Sequence, residues 1–167
     1  MPKLTKPPKS VLRENLGLSQ AALDIRRGVT RYLNMQNIAC IAEVPLPNKR
    51  RADLVAILKN GTIWIIEIKS GVADFKADNK WHEYKDYCDA FYFAVDADFP
   101  EALLPTDIGY IRADAFSADI IRTANHHKLS AARRSAIMRK FARTAAFRLT
   151  HHVEPKLKTG VLFPPDE

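Results

Sequence analysis

The sequence predicts a single α/β domain built on a mixed central sheet. Helical and strand patterns alternate in the order helix, three strands, helix, strand, an irregular stretch, two strands and helix. Two of the strand-like runs, 51–58 and 62–69, are apolar on both faces, which is typical of central strands covered on each side. The length of 167 residues allows one domain with a substantial core.

The first helix is predicted to begin at Ser19 and to end near Asn37. Ser19 suits an N-cap, and Leu18 and Leu23 have the spacing of a hydrophobic staple. An apolar stripe at helical spacing follows: Ala22, Ile25, Val29, Tyr32 and Leu33. A strand is predicted next over residues 38–46, because prolines close that run.

The hairpin after this strand has two possible registers. A two-residue loop would pair Leu54 with Glu67 and turn Asp53 to the other face. A three-residue loop with Gly61 in the left-handed conformation would pair Asp53 with Glu67. We favour the three-residue loop because it also sets small Ala56 across from large Trp64.

The second half of the chain predicts four further elements and one long helix. A helix is expected over residues 74–88, a strand over 91–95 and two strands over 108–112 and 115–122, with residues 99–106 irregular. The last helix, 129–152, has an apolar side made of Met138, Phe141, Ala142, Ala145 and Leu149. Its basic side, Arg133, Arg139, Lys140 and Arg143, is either a solvated face or a phosphate-contacting face.

Charge and composition limit the classes of function. Lys and Arg number 26 against 19 Asp and Glu, giving a net charge of +7 and a pI near 9.5, which favours polyanionic partners such as nucleic acid. The two cysteines predict buried free thiols rather than a disulfide or zinc site. No apolar run reaches the length of a membrane span, so a cytoplasmic location is expected. Residues 1–17 predict a flexible basic arm, and residues 153–167 an extended tail.

Asp53, Glu67 and Lys69 are the candidate catalytic residues. Strand side chains alternate faces, so Glu67 and Lys69 point the same way. Carboxylates of Asp53 and Glu67, with the Ile68 carbonyl, offer the hard oxygen ligands that suit Mg²⁺ or Mn²⁺ better than zinc. Lys69 would orient water or offset developing negative charge. The alternative interpretation is a solvated ion cluster at the end of two strands.

A family resemblance rests on three stretches. They are Arg50-Arg51-Ala52-Asp53-Leu54, Ile66-Glu67-Ile68-Lys69-Ser70 and the aromatic, charged run at 80–87. Over residues 18–152 the chain resembles the PD-(D/E)XK nuclease superfamily and, within it, the MmcB-like bacterial DNA-repair proteins. The resemblance implies a restriction-endonuclease-like αβββαβ core with extra strands, a divalent metal at Asp53 and Glu67, Lys69 in catalysis, and DNA as substrate.

Further site residues are less constrained by the pattern. Many relatives use an acid on the first helix, for which Asp24 and Glu43 are the candidates here. Lys80 and Tyr84 occupy the spacing of a helper motif in the second helix. Residues Arg50 and Arg51 precede Asp53 and are candidate phosphate contacts.

These features give three hypotheses of function. The first is a divalent-metal-dependent DNA endonuclease or end-processing nuclease in repair. The second is a nuclease-fold DNA-binding or adaptor protein with little activity, working with other DNA-repair proteins. The third is an interaction protein whose positive charge recruits an acidic partner.

Overall fold

A computed structural model describes residues 17–157 of the chain. Most of the predicted basic arm and the last ten residues of the predicted tail therefore lie outside the described residues. Three α-helices are described: α1, Gln20–Met35, α2, Val72–Ala77, and α3, Ala131–Val153. None of them is long and apolar enough to cross a membrane.

The sheet has six strands in the order in which they occur in the sequence. The strands are β1 Ala39–Pro45, β2 Arg51–Ile57, β3 Ile63–Ile68, β4 Ala90–Val95, β5 Gly109–Ala113 and β6 Ala118–Arg122. Strands β1 to β3 and the pair β5–β6 are antiparallel, whereas β3, β4 and β5 run parallel. The predicted single α/β domain with a mixed sheet and a long C-terminal helix is thus confirmed.

Two layers cover the sheet, one on each face. The apolar stripe of α1 packs against one face, through Ile25, Val29 and Leu33. The other face is covered by a 3₁₀ helix, Trp81–Tyr87, and by α3, whose Ile137 is fully buried. Strands β3 and β4 are buried along their whole length, as their apolar sequences predict.

The β2–β3 hairpin has the predicted three-residue loop. Leu58 donates to the carbonyl of Thr62, Gly61 has a φ of 81°, and Ala56 pairs with Trp64. The positive φ at Gly61 explains why glycine occupies the last loop position. The helix predicted by the capping pattern at Ser19 is also observed, and the Ser19 hydroxyl accepts from the backbone N–H of Ala22 at 3.2 Å.

The helix predicted over residues 74–88 is wrong. The structure has the short helix α2, an interruption, and then the 3₁₀ helix. Asp78 is the physical reason, because its carboxylate accepts from the backbone N–H of Lys80 and offers the chain a turn in place of another helical turn. Trp81, Tyr84 and Tyr87 recur every three residues, which matches the 3₁₀ period, and the first two are buried.

The predicted apolar side of α3 is only partly the side that packs. Ile137 and Phe141 contact the core, but Met138 is 38% exposed and Leu149 is 64% exposed. Arg134 and Arg148 share the packing side with Ile137, and each donates to backbone carbonyls of the sheet region. The helix is therefore rotated toward its arginines, whose hydrogen bonds reach the β2–β3 loop and the edge strand β1.

Gly28 marks the closest approach of α1 to the loop between β5 and β6. A Cβ added there would lie 2.0 Å from the carbonyl oxygen of Asp114 and 2.4 Å from that of Ser117. We expect Gly28→Ala to destabilise the fold by about 1–3 kcal/mol, since this overpacking outweighs the roughly 1 kcal/mol that alanine gains in a helix. Urea unfolding measures the change, with exposed Arg27→Ala as the control; an unchanged or higher midpoint for Gly28→Ala would contradict the expected clash.

Candidate functional site

The backbone pairing of β2 with β3 ends at Leu54 and Ile66. Beyond that pair, hydrogen bonds between backbone N–H groups and carboxylates join the two strands. The backbone N–H of Asp53 donates to Oε1 of Glu67 at 3.0 Å. The backbone N–H of Ile68 donates to Oδ2 of Asp53 at 2.9 Å. The two carboxylates are therefore side by side, as the three-residue loop predicts, and the second oxygen of each is the one available to a cation.

Burial makes this pair electrostatically costly. Glu67 is 4% exposed, and burial, followed by the charge of Asp53, raises its pKa well above the ordinary value. Burial also raises the pKa of Asp53, against the hydrogen bond from Ile68 and the charge of Lys69. A divalent cation between the carboxylates would relieve this repulsion, because carboxylate oxygens are ligands that hard divalent cations prefer.

Lys69 lies on the same side of the sheet and is itself buried, at 5% exposure. Its ammonium donates to Oδ2 of Asp78 at 2.5 Å. Burial would raise the pKa of Asp78, but the hydrogen bonds from Lys69 and from the Lys80 backbone lower it. Asp78 thus fixes the position of the Lys69 ammonium, and sequence reasoning missed it although the Asp78-Asn79 pair is a turn signal.

The two predicted helpers on the second helix differ in position. Tyr84 is buried, its hydroxyl donates to the Arg51 carbonyl at 3.3 Å, and burial and the charges of the nearby carboxylates, first Glu67, raise its pKa. Lys80 is exposed, and its charge acts on Glu83. Tyr84 therefore faces the carboxylate cluster, whereas the Lys80 side chain lies at the surface beside Glu83.

Glu43 lies on β1 in line with Asp53. The flanking pairs Ala42–Leu54 and Val44–Ala52 put Glu43 opposite Asp53 in the register, although the two do not pair through their backbones. Glu43 has a φ of 55°, an uncommon conformation for a residue with a side chain. The other candidate acid, Asp24, accepts a hydrogen bond from Gln20 on its own helix at 2.9 Å.

Most of the predicted phosphate-contacting arginines already hold a partner. Arg50 makes two hydrogen bonds with Glu83, Arg51 pairs with Glu43, and Arg133 pairs with Asp86. Arg139 donates to the Ser135 hydroxyl, and the Arg143 guanidinium lies 5.4 Å from the centre of the Phe147 ring. Residues Arg139, Lys140 and Arg143 are exposed on one side of α3.

The ligand set for a metal is small. Among residues 17–157, no group of three or more His, Cys, Asp or Glu side chains lies close enough to hold a metal ion. Two carboxylates and a backbone carbonyl still suit Mg²⁺, which commonly keeps several waters and takes only one or two protein carboxylates. The donor chemistry therefore fits a hydrated Mg²⁺ or Mn²⁺ rather than a fully caged ion.

Two comparisons place the chain among known proteins. A family model described as DNA repair protein MmcB-like matches residues 9–156. The solved structure of a protein of unknown function from Silicibacter pomeroyi is 40% identical, with a TM-score of 0.80 over 89% of this chain and 100% of that one. No curated protein matches.

Proposed function

Because the chain belongs to the MmcB-like family of DNA repair proteins, we propose that it is a divalent-cation-dependent deoxyribonuclease of the PD-(D/E)XK type. The observation that carries the proposal is the pair of hydrogen bonds that holds the carboxylates of Asp53 and Glu67 side by side. Lys69 is buried on the same side of the sheet. The two carboxylates continue the hydrogen bonding between β2 and β3, but their mutual repulsion is a cost that a bound cation would offset.

Each residue of the cluster has a defined task in phosphodiester hydrolysis. Asp53, Glu67 and the Ile68 carbonyl would hold Mg²⁺ or Mn²⁺. The cation, when bound, supplies Lewis acidity and lowers the pKa of a bound water. Lys69 would offset the negative charge that develops on the phosphate, and Asp78 keeps its ammonium in place. Tyr84 is buried beside the cluster, where its hydroxyl donates to the Arg51 carbonyl.

The proposed substrate is DNA, and its phosphates would meet basic side chains around the cluster. Arg51 is 65% exposed and lies on the strand that carries Asp53, and Arg50 precedes it. Arg139, Lys140 and Arg143 extend the basic surface along α3. Arg133 lies near the N-terminal end of α3, about 22 Å along the helix axis from Arg148. It contacts phosphate only if its pair with Asp86 opens.

Cleavage of labelled single-stranded, duplex, flap and mismatched DNA with Mg²⁺ or Mn²⁺ tests the proposal. We expect the wild type to cleave at least one form. Lys69→Ala is expected to reduce the rate by about 10²–10³-fold, the usual effect of losing one electrostatic group at a reacting phosphate. Glu67→Ala should reduce it at least as much, since it removes a metal ligand.

Exposed Lys76→Ala is the matched control, because it removes the same charge as Lys69→Ala outside the cluster. Thermal melting checks that each variant is folded. A wild type that leaves every DNA form intact with both metals, although it is folded and binds DNA, would refute the nuclease proposal.

The pairing of the basic residues favours a second candidate function, a catalytically silent DNA-binding or adaptor protein in repair. Lys69 is held by Asp78, and Arg50, Arg51 and Arg133 each pair with an acid. For that function, DNA or partner binding is expected to be independent of metal and unaffected by Glu67→Ala.

A further inference from the structure

One apolar stripe of α3 is not used to pack the helix against the sheet. Met138 is 38% exposed and Leu149 is 64% exposed, while Ala142 is exposed and Ala145 partly buried. These four residues, called the seam below, are spaced by four, three and four positions, the a/d spacing of a coiled coil. Ile137, which is fully buried, lies about 100° around the helix axis from Met138. The helix therefore has a second apolar stripe that is largely exposed.

The shape of the seam fits another helix. Ala142 and Ala145 at its centre allow two helix backbones to approach closely, and the larger Met138 and Leu149 at its ends would hold a partner in register. The seam runs about 17 Å along the helix axis, or roughly three turns. A helix that lies on a membrane surface presents a broader apolar face with Trp, Phe or Leu, which the two central alanines do not supply.

The charges beside the seam select an acidic partner. The 23 residues of α3 contain six Lys or Arg and no Asp or Glu. Arg139 follows Met138, and Arg143 follows Ala142, so both border the seam, and both are exposed. Within residues 17–157, neither arginine makes a salt bridge. A second copy of α3 would bring like charges together along the seam, whereas Asp or Glu on a partner would pair with them.

We propose that the seam docks an amphipathic helix of another protein, with apolar residues at its a and d positions and Asp or Glu beside them. The apolar side chains of the partner would cover Met138, Leu149 and the alanines between them, and its carboxylates would meet Arg139 and Arg143. This contact goes beyond the proposed nuclease activity and does not depend on it. Arg139 and Arg143 also belong to the proposed DNA surface, so the variants that test the seam leave both arginines in place.

Fluorescence anisotropy of a labelled synthetic helix tests the seam. The peptide has about three heptads, with Leu at a and d and Glu at e and g, and the glutamates keep it from pairing with itself. The full chain is expected to bind it, and the affinity should fall as salt rises because the flanking charges are screened. A peptide of the same composition in scrambled order lacks the apolar stripe and should bind about tenfold more weakly or less. Equal binding of both peptides would show charge attraction alone and would overturn the seam.

Two substitutions in one variant, Met138→Ser and Leu149→Ser, remove the apolar ends of the seam and keep every charge. This variant should bind the heptad peptide about tenfold more weakly, because both side chains lose the apolar surface that docking would bury. Phe116→Ser is the matched control, since Phe116 is 74% exposed and lies between β5 and β6, and it should bind like the wild type. Thermal melting checks that each variant is folded, and Leu149→Ser alone replaces the double variant if that one is not. Unchanged peptide binding by the folded seam variant would overturn the proposal.

Other occupants of the seam give different results. A wild-type dimer in sedimentation that the seam variant does not form would identify a second copy and overturn the partner helix. Flotation with vesicles that contain phosphatidylserine, lost in the same variant, would identify a membrane surface instead. Lower DNA affinity of that variant would make the seam part of the DNA surface and would likewise overturn the proposal. A chain that cleaves no DNA but binds the heptad peptide through the seam would refute the nuclease proposal and support the docking surface.

Discussion

Glu67→Gln is expected to stabilise the folded protein in the absence of metal by about 1–3 kcal/mol, because it removes a buried charge beside the Asp53 carboxylate and each unit of a raised pKa corresponds to about 1.4 kcal/mol. The glutamine oxygen can still accept the hydrogen bond from the backbone N–H of Asp53. The amide nitrogen replaces the other carboxylate oxygen of Glu67 and is a donor in place of an acceptor. The pKa of Glu67 is raised on folding, first by burial and then by Asp53. The contribution of Glu67 to the free energy of unfolding is therefore fully present below its pKa in the unfolded chain, about 4.3. It is lost as the pH rises through its pKa in the folded protein.

Divalent cations should make the wild type more stable than Glu67→Gln, the reverse of the order without metal. A ligand present at 100 times its Kd stabilises the native state by about 2.7 kcal/mol. Mg²⁺ or Mn²⁺ should therefore raise the melting temperature of the wild type and not that of Glu67→Gln. Exposed Glu83→Gln is the charge-matched control and should respond like the wild type. Lower stability of Glu67→Gln without metal, or an equal response of both proteins to metal, would contradict a cation site at Glu67.

The parts of the site that sequence reasoning predicted are local in the chain. The loop length follows from Gly61 and from the pairing of Ala56 with Trp64, and both lie within the hairpin. Once that register is fixed, the alternation of side chains brings Asp53 beside Glu67 and puts Lys69 on the same side. The outline of the candidate site could thus be predicted from fewer than twenty consecutive residues.

The error in the second helix has a tertiary cause. Helical periodicity over residues 74–88 suggested one helix, but the Asp78 carboxylate has two better partners than a continuing helix offers. One oxygen accepts from Lys69 and the other from the backbone of Lys80. The Lys69 contact spans nine residues and exists only after β3 is placed, so helical pattern alone could not reveal it.

Arg148 was missed for a related reason. It looks like one basic residue among many on an amphipathic helix, and the net positive charge of the chain suggests solvated or phosphate-contacting faces. Arg148 reaches the carbonyls of β1 across 105 to 106 residues of sequence. Such contacts depend on the rotation of α3 against the sheet, which the apolar stripe of that helix predicted incorrectly.

Asp89→Ala is expected to destabilise the fold by about 3–5 kcal/mol, as breaking a buried salt bridge does. Asp89 is 6% exposed and accepts from the backbone N–H groups of Ile63 at 2.8 Å and Leu129 at 3.2 Å. Its two oxygens also accept from Arg134 at 2.9 and 2.6 Å. The substitution would leave two amides and most of a guanidinium group without partners, and it would detach the start of α3 from the sheet.

Urea unfolding at neutral and acid pH measures this contribution. Burial alone would raise the pKa of Asp89, but the hydrogen bonds from Arg134, Ile63 and Leu129 outweigh it and lower the pKa. The stabilisation is therefore present above the unfolded value of about 3.9 and is lost as pH falls through the folded value. Asp86→Ala, which breaks the exposed pair with Arg133, should cost at most about 1 kcal/mol. Equal losses of stability in the Asp86 and Asp89 variants would contradict a buried anchor at the start of α3.

Asp89 lies at the end of the sheet remote from Asp53 and Glu67. Asp89→Asn should therefore lower stability while the folded protein retains its DNA affinity.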